Sequence, residues 1–338
     1  MKRKLWSGAL ILISILTIWQ WNMILYGLQQ ARGQIKIIRE AKPIEEVLAD
    51  PTFPDSLKQK LRLAQDARAF AMEKLNLNFS ENYTTLFDQE GKVLLWNLSA
   101  CEPYALEAHT WYYPFLGSMP YKGFFDLEKA KAEREILESQ GFDTRIRPVG
   151  GWSTLGILKD PILSNMLQRS DGALAEVIIH ELTHATVFVK NEIEFNENLA
   201  SFIGERGAEL FLKEKLGDSS EVLIEYLQSE ADSKRLTQYV LKGAQELDTL
   251  YTSMEDQPDS IKQLLKAEKI DQIVSNLDTV DFYNTNYHQL FSKVKPNNAY
   301  FMSFKRYHEQ EDTLNSIYKK YDYNLKSMIE EMKSLYGK

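Results

Sequence analysis

The sequence predicts an α+β fold that is predominantly α-helical, with an N-terminal transmembrane helix. A stretch of uncharged residues comes near the start of the chain, strand-like segments separated by turn formers fill the region 83–156, and helical patterns dominate from residue 160 onward. Hydrophobic residues make up 44% of the 338 residues and charged residues 26%, which is typical of a globular protein and not of a disordered one.

The charge balance and the cysteine count exclude some kinds of partner and site. A net charge of −8 argues against nucleic acid as the main partner, because binding phosphate requires a clustered positive surface. Cys101 is the single cysteine, so the chain cannot form an intramolecular disulfide or a cysteine-rich metal site, and we expect a buried thiol. Any metal must therefore be bound by histidines and carboxylates.

Residues 5–28 carry no formal charge and follow the basic residues Lys2, Arg3 and Lys4. As a helix, these 24 residues exceed the ~30 Å hydrocarbon core of a bilayer. The alternative is a cleaved signal peptide, but so long an apolar region without a clear small-residue cleavage site favours an uncleaved anchor. We therefore expect a single-pass membrane protein that contacts the lipid bilayer through residues 1–32. The basic N-terminus stays in the cytoplasm, and the domain 33–338 is extracytoplasmic, or periplasmic.

Local signals predict the elements of this domain. In order, they are a short helix broken at Pro43, a helix over 55–76, a β-hairpin that turns at 89–91, a helix over 126–140 that Gly141 ends, and a strand over 144–149. We divide the domain into a sheet-containing half over 33–156, a pair of helices over about 160–216, and a helical C-terminal half over about 217–338.

The most informative motif is His180-Glu181-Leu182-Thr183-His184. On a helix, residues i and i+4 leave the same face, so both imidazoles can bind one Zn²⁺. Glu181 can then reach a metal-bound water, which is the general-base position of zinc peptidases. The alternative is a pair of surface histidines on an amphipathic helix. The apolar residues that lead into the motif favour a buried metal helix instead.

An open zinc site needs a third protein ligand, and Glu197 is the best candidate. It follows His184 by 13 residues, which allows the chain to return antiparallel. Asn196 is a predicted N-cap, so Glu197 would begin a second helix. Small residues follow Glu197 on one helical face, at Ala200, Gly204 and Ala208, and would let the two helices approach closely.

Other roles are less specific. Tyr121 is the first candidate for the donor that stabilises the oxyanion, followed by Tyr287 and His288, although most tyrosines are packing residues. Residues 150–156 could form an edge strand that binds a peptide, or an ordinary loop.

An aminopeptidase also needs a carboxylate for the ammonium group of its substrate. Glu176 and Glu205 lie near the predicted ligands in sequence and could serve, or they could simply be solvated.

Several motifs support a family assignment. They are His180-Glu181-Leu182-Thr183-His184, Phe195-Asn196-Glu197 with Ala200, Pro120-Tyr121-Lys122-Gly123-Phe124-Phe125-Asp126, Ser153-Thr154-Leu155-Gly156 followed by Asp160-Pro161, Gly33-Gln34 with Ala41-Lys42-Pro43-Ile44, and Asn297-Asn298-Ala299. With these, the sequence resembles the bacterial Putative aminopeptidase family of membrane-associated HExxH zinc peptidases.

The resemblance implies a zincin-like fold with a small β-sheet beside the metal helix. It also implies one zinc ion bound by His180, His184 and Glu197, with Glu181 catalytic. Some members begin with a lipoprotein cysteine, whereas this chain has none there, which favours a transmembrane anchor.

The function expected from these observations is that of a zinc metallopeptidase, an aminopeptidase that acts on a peptide substrate. One alternative is a non-catalytic envelope binding or scaffold protein with a structural zinc. Glu181 argues against it, because a structural site needs no general base. Another alternative is a zinc hydrolase of a non-peptide bond. The sequence does not specify the oligomeric state.

Overall fold

The structure is a computed structural model that describes residues 21–113, 117–150, 158–190, 192–308 and 311–337. It is α+β and mostly helical, as predicted. The α-helices of the described residues are α1 (Trp21–Glu40), α2 (Ile44–Ala49), α3 (Asp55–Glu73), α4 (Leu127–Ser139), α5 (Asp171–Thr186), α6 (Ile193–Leu216), α7 (Glu221–Ser253), α8 (Asp259–Asn276), α9 (Asn298–His308), α10 (Glu311–Lys320) and α11 (Leu325–Tyr336).

Within the described ranges, the strands are short and form three small sheets. They are β1 (Lys42–Pro43), β2 (Thr85–Phe87), β3 (Trp96–Cys101), β4 (Trp111–Tyr113), β5 (Gly117–Met119), β6 (Lys122–Phe124), β7 (Asp143–Pro148) and β8 (Ile162–Leu163). The strand orders are β1-β2-β8, β6-β3-β7 and β4-β5. The single sheet predicted over 83–156 is therefore wrong, since the strands of this region are divided among three sheets.

The predicted β-hairpin at 89–91 is also wrong, although the turn itself is present. The N–H of Lys92 donates to the carbonyl of Gln89 at 2.9 Å, and Glu90 and Gly91 have φ values of 52° and 70°. However, β2 pairs in parallel with β8, whereas β3 pairs antiparallel with β6 and β7. The local turn reverses the chain, but long-range pairing decides which strands share a sheet.

Other predicted elements are confirmed. The helix predicted over 126–140 is α4, where Asp126 Oδ1 accepts a hydrogen bond from the N–H of Glu128 at 2.9 Å and Gly141 adopts a φ of 93° just after the helix. The break at Pro43 separates α1 from α2, and the strand predicted over 144–149 is β7. The helix predicted over 55–76 is α3, which ends at Glu73.

The larger of the two main cores lies between α3, α5, α6 and the β1-β2-β8 sheet. Its fully buried members include Leu61 of α3, Ile178 of α5 and Ile203 of α6. Leu86 and Ile162, which are partners in the parallel pair of β2 and β8, contribute the sheet side. A small sheet thus lies beside the helix that carries the histidine motif, as expected, but of its three strands only β2 comes from the region 83–156.

The second main core lies between α7, α8 and α9 and includes Val240, Leu247 and Phe301. Cys101 is buried there, as predicted, and burial raises the pKa of its thiol to about 12. α10 and α11 return to the first core with Leu314 and other residues. The helices after residue 217 therefore contribute to both cores.

Most of the predicted membrane anchor, residues 5–20, lies outside the described residues. Among the helices described from residue 21 onward, none combines the length and the apolar character needed to cross a bilayer. The described part of α1 starts at Trp21, inside the uncharged stretch, and continues without a break to Glu40.

Candidate metal centre

Helix α5 carries the first two predicted metal ligands. The Ser170 hydroxyl caps it by accepting a hydrogen bond from the N–H of Ala173 at 3.3 Å. Ile178 and Leu182 are fully buried, and the Thr183 hydroxyl donates to the carbonyl of Ile179 at 2.9 Å. The apolar flanks of the motif therefore bury the helix, as the sequence suggested.

The structure brings His180, His184 and Glu197 together, with candidate ligand atoms that all lie within 4.8 Å of one another. The Nε2 atoms of the two histidines are 3.2 Å apart. Oε2 of Glu197 lies 3.7 Å from Nε2 of His180, and its Oε1 lies 3.8 Å from Nε2 of His184. The exposed fractions of the three side chains are 19%, 6% and 18%, so solvent still has access to the group.

These separations fit a tetrahedral metal ion. Metal–ligand distances of about 2.0–2.1 Å place neighbouring ligand atoms of a tetrahedron about 3.4 Å apart. The observed 3.2, 3.7 and 3.8 Å lie around that value. Two imidazoles and one carboxylate form the ligand set of an open site, with a position left for water or substrate. The three residues can therefore hold a metal ion.

The protonation state of His180 suits metal binding. Burial and, after it, the neighbouring ring of His184 lower the pKa of His180 to about 4, against the opposing effect of Glu197. A neutral imidazole has a free lone pair, which is the form that binds a metal. His180 is therefore held in its ligand form at neutral pH.

Helix α6 begins earlier than predicted. Its first residue is Ile193, so the prediction that Asn196 is the N-cap is wrong. Asn196 instead fixes the loop between α5 and α6, because its Oδ1 accepts from the N–H of Val189 and its Nδ2 donates to the carbonyl of Val189, both at 2.8 Å. Glu197 consequently lies in the second turn of α6.

The small residues of α6 lie where this helix meets α5, as predicted. A Cβ atom added to Gly204 would lie only 3.1 Å from the carbonyl oxygen of Glu176 and 3.2 Å from the Cβ of His180. Ala200 and Ala208 are fully buried. Larger side chains here would separate the helices, so the small residues allow Glu197 to reach the two imidazoles.

Glu181 follows the first predicted ligand, and its charge acts on a buried tyrosine. Burial raises the pKa of Tyr83 well above its ordinary value, and the charges of Glu181 and Asp160 raise it further. The backbone of Tyr83 is held at a φ of 62°: its N–H donates to the carbonyl of Asp160 at 2.6 Å, and its carbonyl accepts from Nε2 of Gln65 at 2.5 Å. A neutral phenol therefore lies within electrostatic range of the predicted general base.

A cluster of carboxyls surrounds Tyr226, beside helices α5 and α6. The Tyr226 hydroxyl donates to Oε2 of Glu176 at 3.1 Å, and it also lies 3.3 Å from the carbonyl oxygen of Glu205. Burial and, after it, the charge of Glu205 raise the pKa of Glu176 to about 7. Burial likewise raises the pKa of Glu230 to about 8, together with the charges of Glu176 and Glu205. The structure thus adds Glu230 and Tyr226 to the two carboxylates that the sequence suggested.

Arg169 precedes α5, and its positive charge favours the ionised form of the nearby carboxyls. Its charge lowers the pKa of both Glu176 and His180, and its guanidinium donates to the carbonyl of Gly150 at 3.1 Å. Residues 151–157 follow directly and lie outside the described residues, so the edge strand predicted over 150–156 stays a prediction. Sequence reasoning missed Arg169, since no local pattern distinguishes it.

The candidate oxyanion donors lie on other elements. Tyr121 lies near Tyr113. The pKa of Tyr113 is raised mainly by burial and by Tyr26, and Tyr121 adds a smaller contribution. Tyr287 stacks on Phe282 at 4.9 Å, and Nε2 of His288 lies 2.9 Å from the carbonyl oxygen of Val280. Their roles in stabilising the oxyanion stay predictions.

Removal of the Glu197 carboxylate should weaken metal binding. We expect Glu197→Ala to lower the zinc affinity by about 100-fold or more, since loss of an outer-sphere partner alone costs about 10- to 100-fold. Competition titration against a chromophoric chelator measures this affinity. Glu194→Ala, at an exposed position one turn earlier on α6, is the matched control. Equal affinities for the two variants would contradict the assignment of Glu197.

The cluster of carboxyls around Tyr226 predicts that the stability of the metal-free chain depends on pH. The pKa values of Glu176 and Glu230 are raised from 4.5 to about 7 and about 8. Between pH 4.5 and these raised values, the folded chain therefore holds more protons than the unfolded chain. This contribution to stability is complete below about pH 4.5 and is lost as the pH rises through 7 and 8.

Thermal unfolding in the presence of EDTA, measured from pH 5 to pH 8.5, tests this dependence. We expect the double variant Glu176→Gln, Glu230→Gln to lose less stability across the range than the wild type does. The control Glu194→Gln, Glu225→Gln changes two exposed carboxylates and should follow the wild type. Parallel curves for all three proteins would exclude the raised pKa values.

Comparisons with known proteins place the chain in a family. No curated protein and no solved structure matches the chain. The model of a family described as "Putative aminopeptidase" matches residues 25–338, which include helices α5 and α6 and the cluster of carboxyls around Tyr226. This match confirms the resemblance inferred from the sequence motifs, and the description of the family supports a peptidase in general. The chain belongs to the Putative aminopeptidase family.

Proposed function

We propose that the chain is a zinc-dependent aminopeptidase in which Glu181 is the general base. The observation that carries this proposal is the convergence of His180, His184 and Glu197 within 4.8 Å, on helices that place Glu181 next to the first ligand. Three protein ligands leave a coordination position open, which a catalytic site requires and a structural site does not. Membership of the family supports the peptidase assignment.

His180, His184 and Glu197 would hold the ion. Bound zinc supplies Lewis acidity that polarises a scissile carbonyl and acidifies water. Glu181 accepts a proton from the attacking water at its carboxylate and delivers it to the leaving nitrogen. The C–O bond to the attacking water forms first and the C–N bond of the peptide then breaks, so Glu181 ends in its starting protonation state. The Tyr121 hydroxyl is our proposed hydrogen-bond donor to the oxyanion.

The cluster of carboxyls beside α5 and α6 would recognise the free N-terminus of the substrate. Glu176 lies one turn before His180, and Glu205 and Glu230 lie close enough to act on each other's protonation and on that of Glu176. A substrate ammonium nearby would favour their ionised forms and would be bound in turn by the negative charge. This arrangement supports an aminopeptidase over an endopeptidase.

Substitution of Glu181 tests the chemistry. We expect Glu181→Gln to keep its zinc and to lower kcat for leucyl-aminomethylcoumarin by about 10²- to 10⁴-fold, since the amide cannot accept the proton. We expect the wild type to leave N-acetyl-leucyl-aminomethylcoumarin uncut, because that substrate has no ammonium group. Fluorescence release and zinc analysis measure both outcomes. Glu194→Gln, exposed on α6, is the control.

Three results would contradict this proposal in different ways. A zinc-loaded wild type that cleaves no peptide would favour a scaffold with a structural zinc. Hydrolysis of esters but not of peptides would favour a hydrolase of non-peptide bonds. Preference for the N-acetylated substrate would exclude the aminopeptidase assignment while leaving the peptidase assignment in place.

We further propose that residues 1–32 anchor the chain in the membrane, with a cytoplasmic N-terminus and an extracytoplasmic catalytic domain. The uncharged stretch over 5–28 and the basic residues before it support this topology. The full chain should stay with the membrane after carbonate extraction, and protease added to spheroplasts should digest the domain. Protection of the domain from this protease would contradict the topology.

A further inference from the structure

A cleft of about 760 Å³ lies between α1 and the chain that leads into α4, apart from the metal-ligand group. Its lining includes Arg32, Lys36 and Arg39 from α1 and Phe125 and Lys129 from the other wall. None of these residues belongs to the candidate metal centre, so the proposed peptidase function leaves this cleft without a role.

The two walls of the cleft are fixed against each other. The Tyr26 hydroxyl donates to the carbonyl of Gly123 at 2.8 Å, and Nε2 of Gln30 donates to the same carbonyl at 3.1 Å. Gly33 lies so close to the ring of Phe125 that a Cβ atom at this position would come within 2.5 Å of it. The cleft is therefore formed by docked elements and does not depend on the position of a loose side chain.

Positive charges predominate in this cleft, and several are not neutralised. Within the described part of the chain, the side chains of Arg32, Arg39 and Lys129 make no ion pair and no hydrogen bond. Lys36 contacts Glu40 at 4.0 Å, with both side chains more than half exposed, and its charge also helps to lower the pKa of Glu90.

The remaining acid of the cleft, Asp126, is already engaged. It caps α4 through the N–H of Glu128 at 2.9 Å, where the helix N-terminus stabilises its charge. The free cations of the cleft therefore favour an anionic ligand.

The cleft follows directly after the uncharged stretch. α1 begins within that stretch and runs unbroken to Glu40, and the first residue that lines the cleft is Gln29. At about 1.5 Å per residue, Arg32 and Arg39 lie about 6 and 17 Å beyond Leu28 along the helix. The headgroup layer on each side of a bilayer is about 5–8 Å thick. If the hydrocarbon core ends near Leu28, Arg32 lies at the depth of the lipid phosphates, and Arg39 lies about 10 Å farther from the bilayer.

One face of α1 also combines the two kinds of side chain that a lipid headgroup requires. Leu28, Arg32, Ile35 and Arg39 recur at i, i+4, i+7 and i+11, and Leu28 and Ile35 are each 62% exposed. Exposed apolar residues between cations suit a ligand with a phosphate and an acyl chain better than they suit a free inorganic anion.

We propose that this cleft binds the phosphodiester headgroup of an anionic phospholipid. The site goes beyond the proposed peptidase function, because it uses none of the residues of the metal centre. Arg32, Arg39 and Lys129 bind the phosphate, and Leu28 contacts the acyl region. The bound lipid orients the domain relative to the bilayer surface.

Calorimetric titration of the full chain in a neutral maltoside detergent tests this site. The ligands are dihexanoyl phosphatidylglycerol, dihexanoyl phosphatidylcholine and inorganic phosphate. The test variant is Arg32→Gln, Arg39→Gln, Lys129→Gln. The control Arg62→Gln, Lys319→Gln, Lys326→Gln removes three exposed cations elsewhere, and Arg32→Lys, Arg39→Lys, Lys129→Arg keeps the charge of the cleft.

We expect the wild type to bind phosphatidylglycerol more tightly than either phosphatidylcholine or inorganic phosphate. The test variant should lose roughly 10- to 100-fold in affinity, since each cation near a lipid phosphate contributes roughly fivefold. The control and the charge-keeping variant should bind as the wild type does. Zinc content and peptidase rate should not change in the test variant, so failure of this site is distinguishable from failure of the proposed function.

Two results would overturn the proposal. Equal affinities of the wild type and the test variant for phosphatidylglycerol would show that the cleft is not the binding site. Inorganic phosphate that binds as tightly as phosphatidylglycerol would show a site for a free anion and not for a lipid.

Discussion

The close packing of α5 against α6 is the constraint on which the candidate metal centre depends. The two imidazoles lie on one helix, so their separation follows from helical geometry, but the carboxylate of Glu197 must come from the other helix. A Cβ atom at Gly204 would lie only 3.2 Å from the Cβ of His180, so the glycine allows the two helices to pack this closely. Close-packed protein interiors deform little. The fixed distance between α5 and α6 therefore keeps the three ligand atoms within reach of one ion.

Burial gives the same region its unusual electrostatics. Removing ionisable groups from water costs free energy unless a charge or a hydrogen bond compensates. Here the cost shifts protonation: the pKa of His180 falls to about 4, while those of Glu176 and Glu230 rise to about 7 and about 8. Clusters of shifted pKa values are typical of functional sites.

Local and long-range features differ in how well the sequence predicts them. The histidine motif, its buried helix and the small residues of α6 follow from spacing along one helix, so they could be predicted. The predicted hairpin at 89–91 and the predicted cap at Asn196 were wrong, because the residues of β2 pair with residues 76 positions later and Asn196 bonds to the backbone of Val189. Tyr83 and Glu230 reach the site from distant elements, where no local pattern distinguishes them from other tyrosines and glutamates.

X-ray absorption spectroscopy at the zinc edge of the purified full chain tests the metal centre most directly. We predict one zinc per chain with two imidazole ligands and oxygen ligands, all at about 2.0–2.2 Å, and one position occupied by exchangeable solvent or an inhibitor. A chain that binds no stoichiometric zinc, or a zinc whose spectrum lacks imidazole scattering, would contradict the convergence of the two helices on a metal ion.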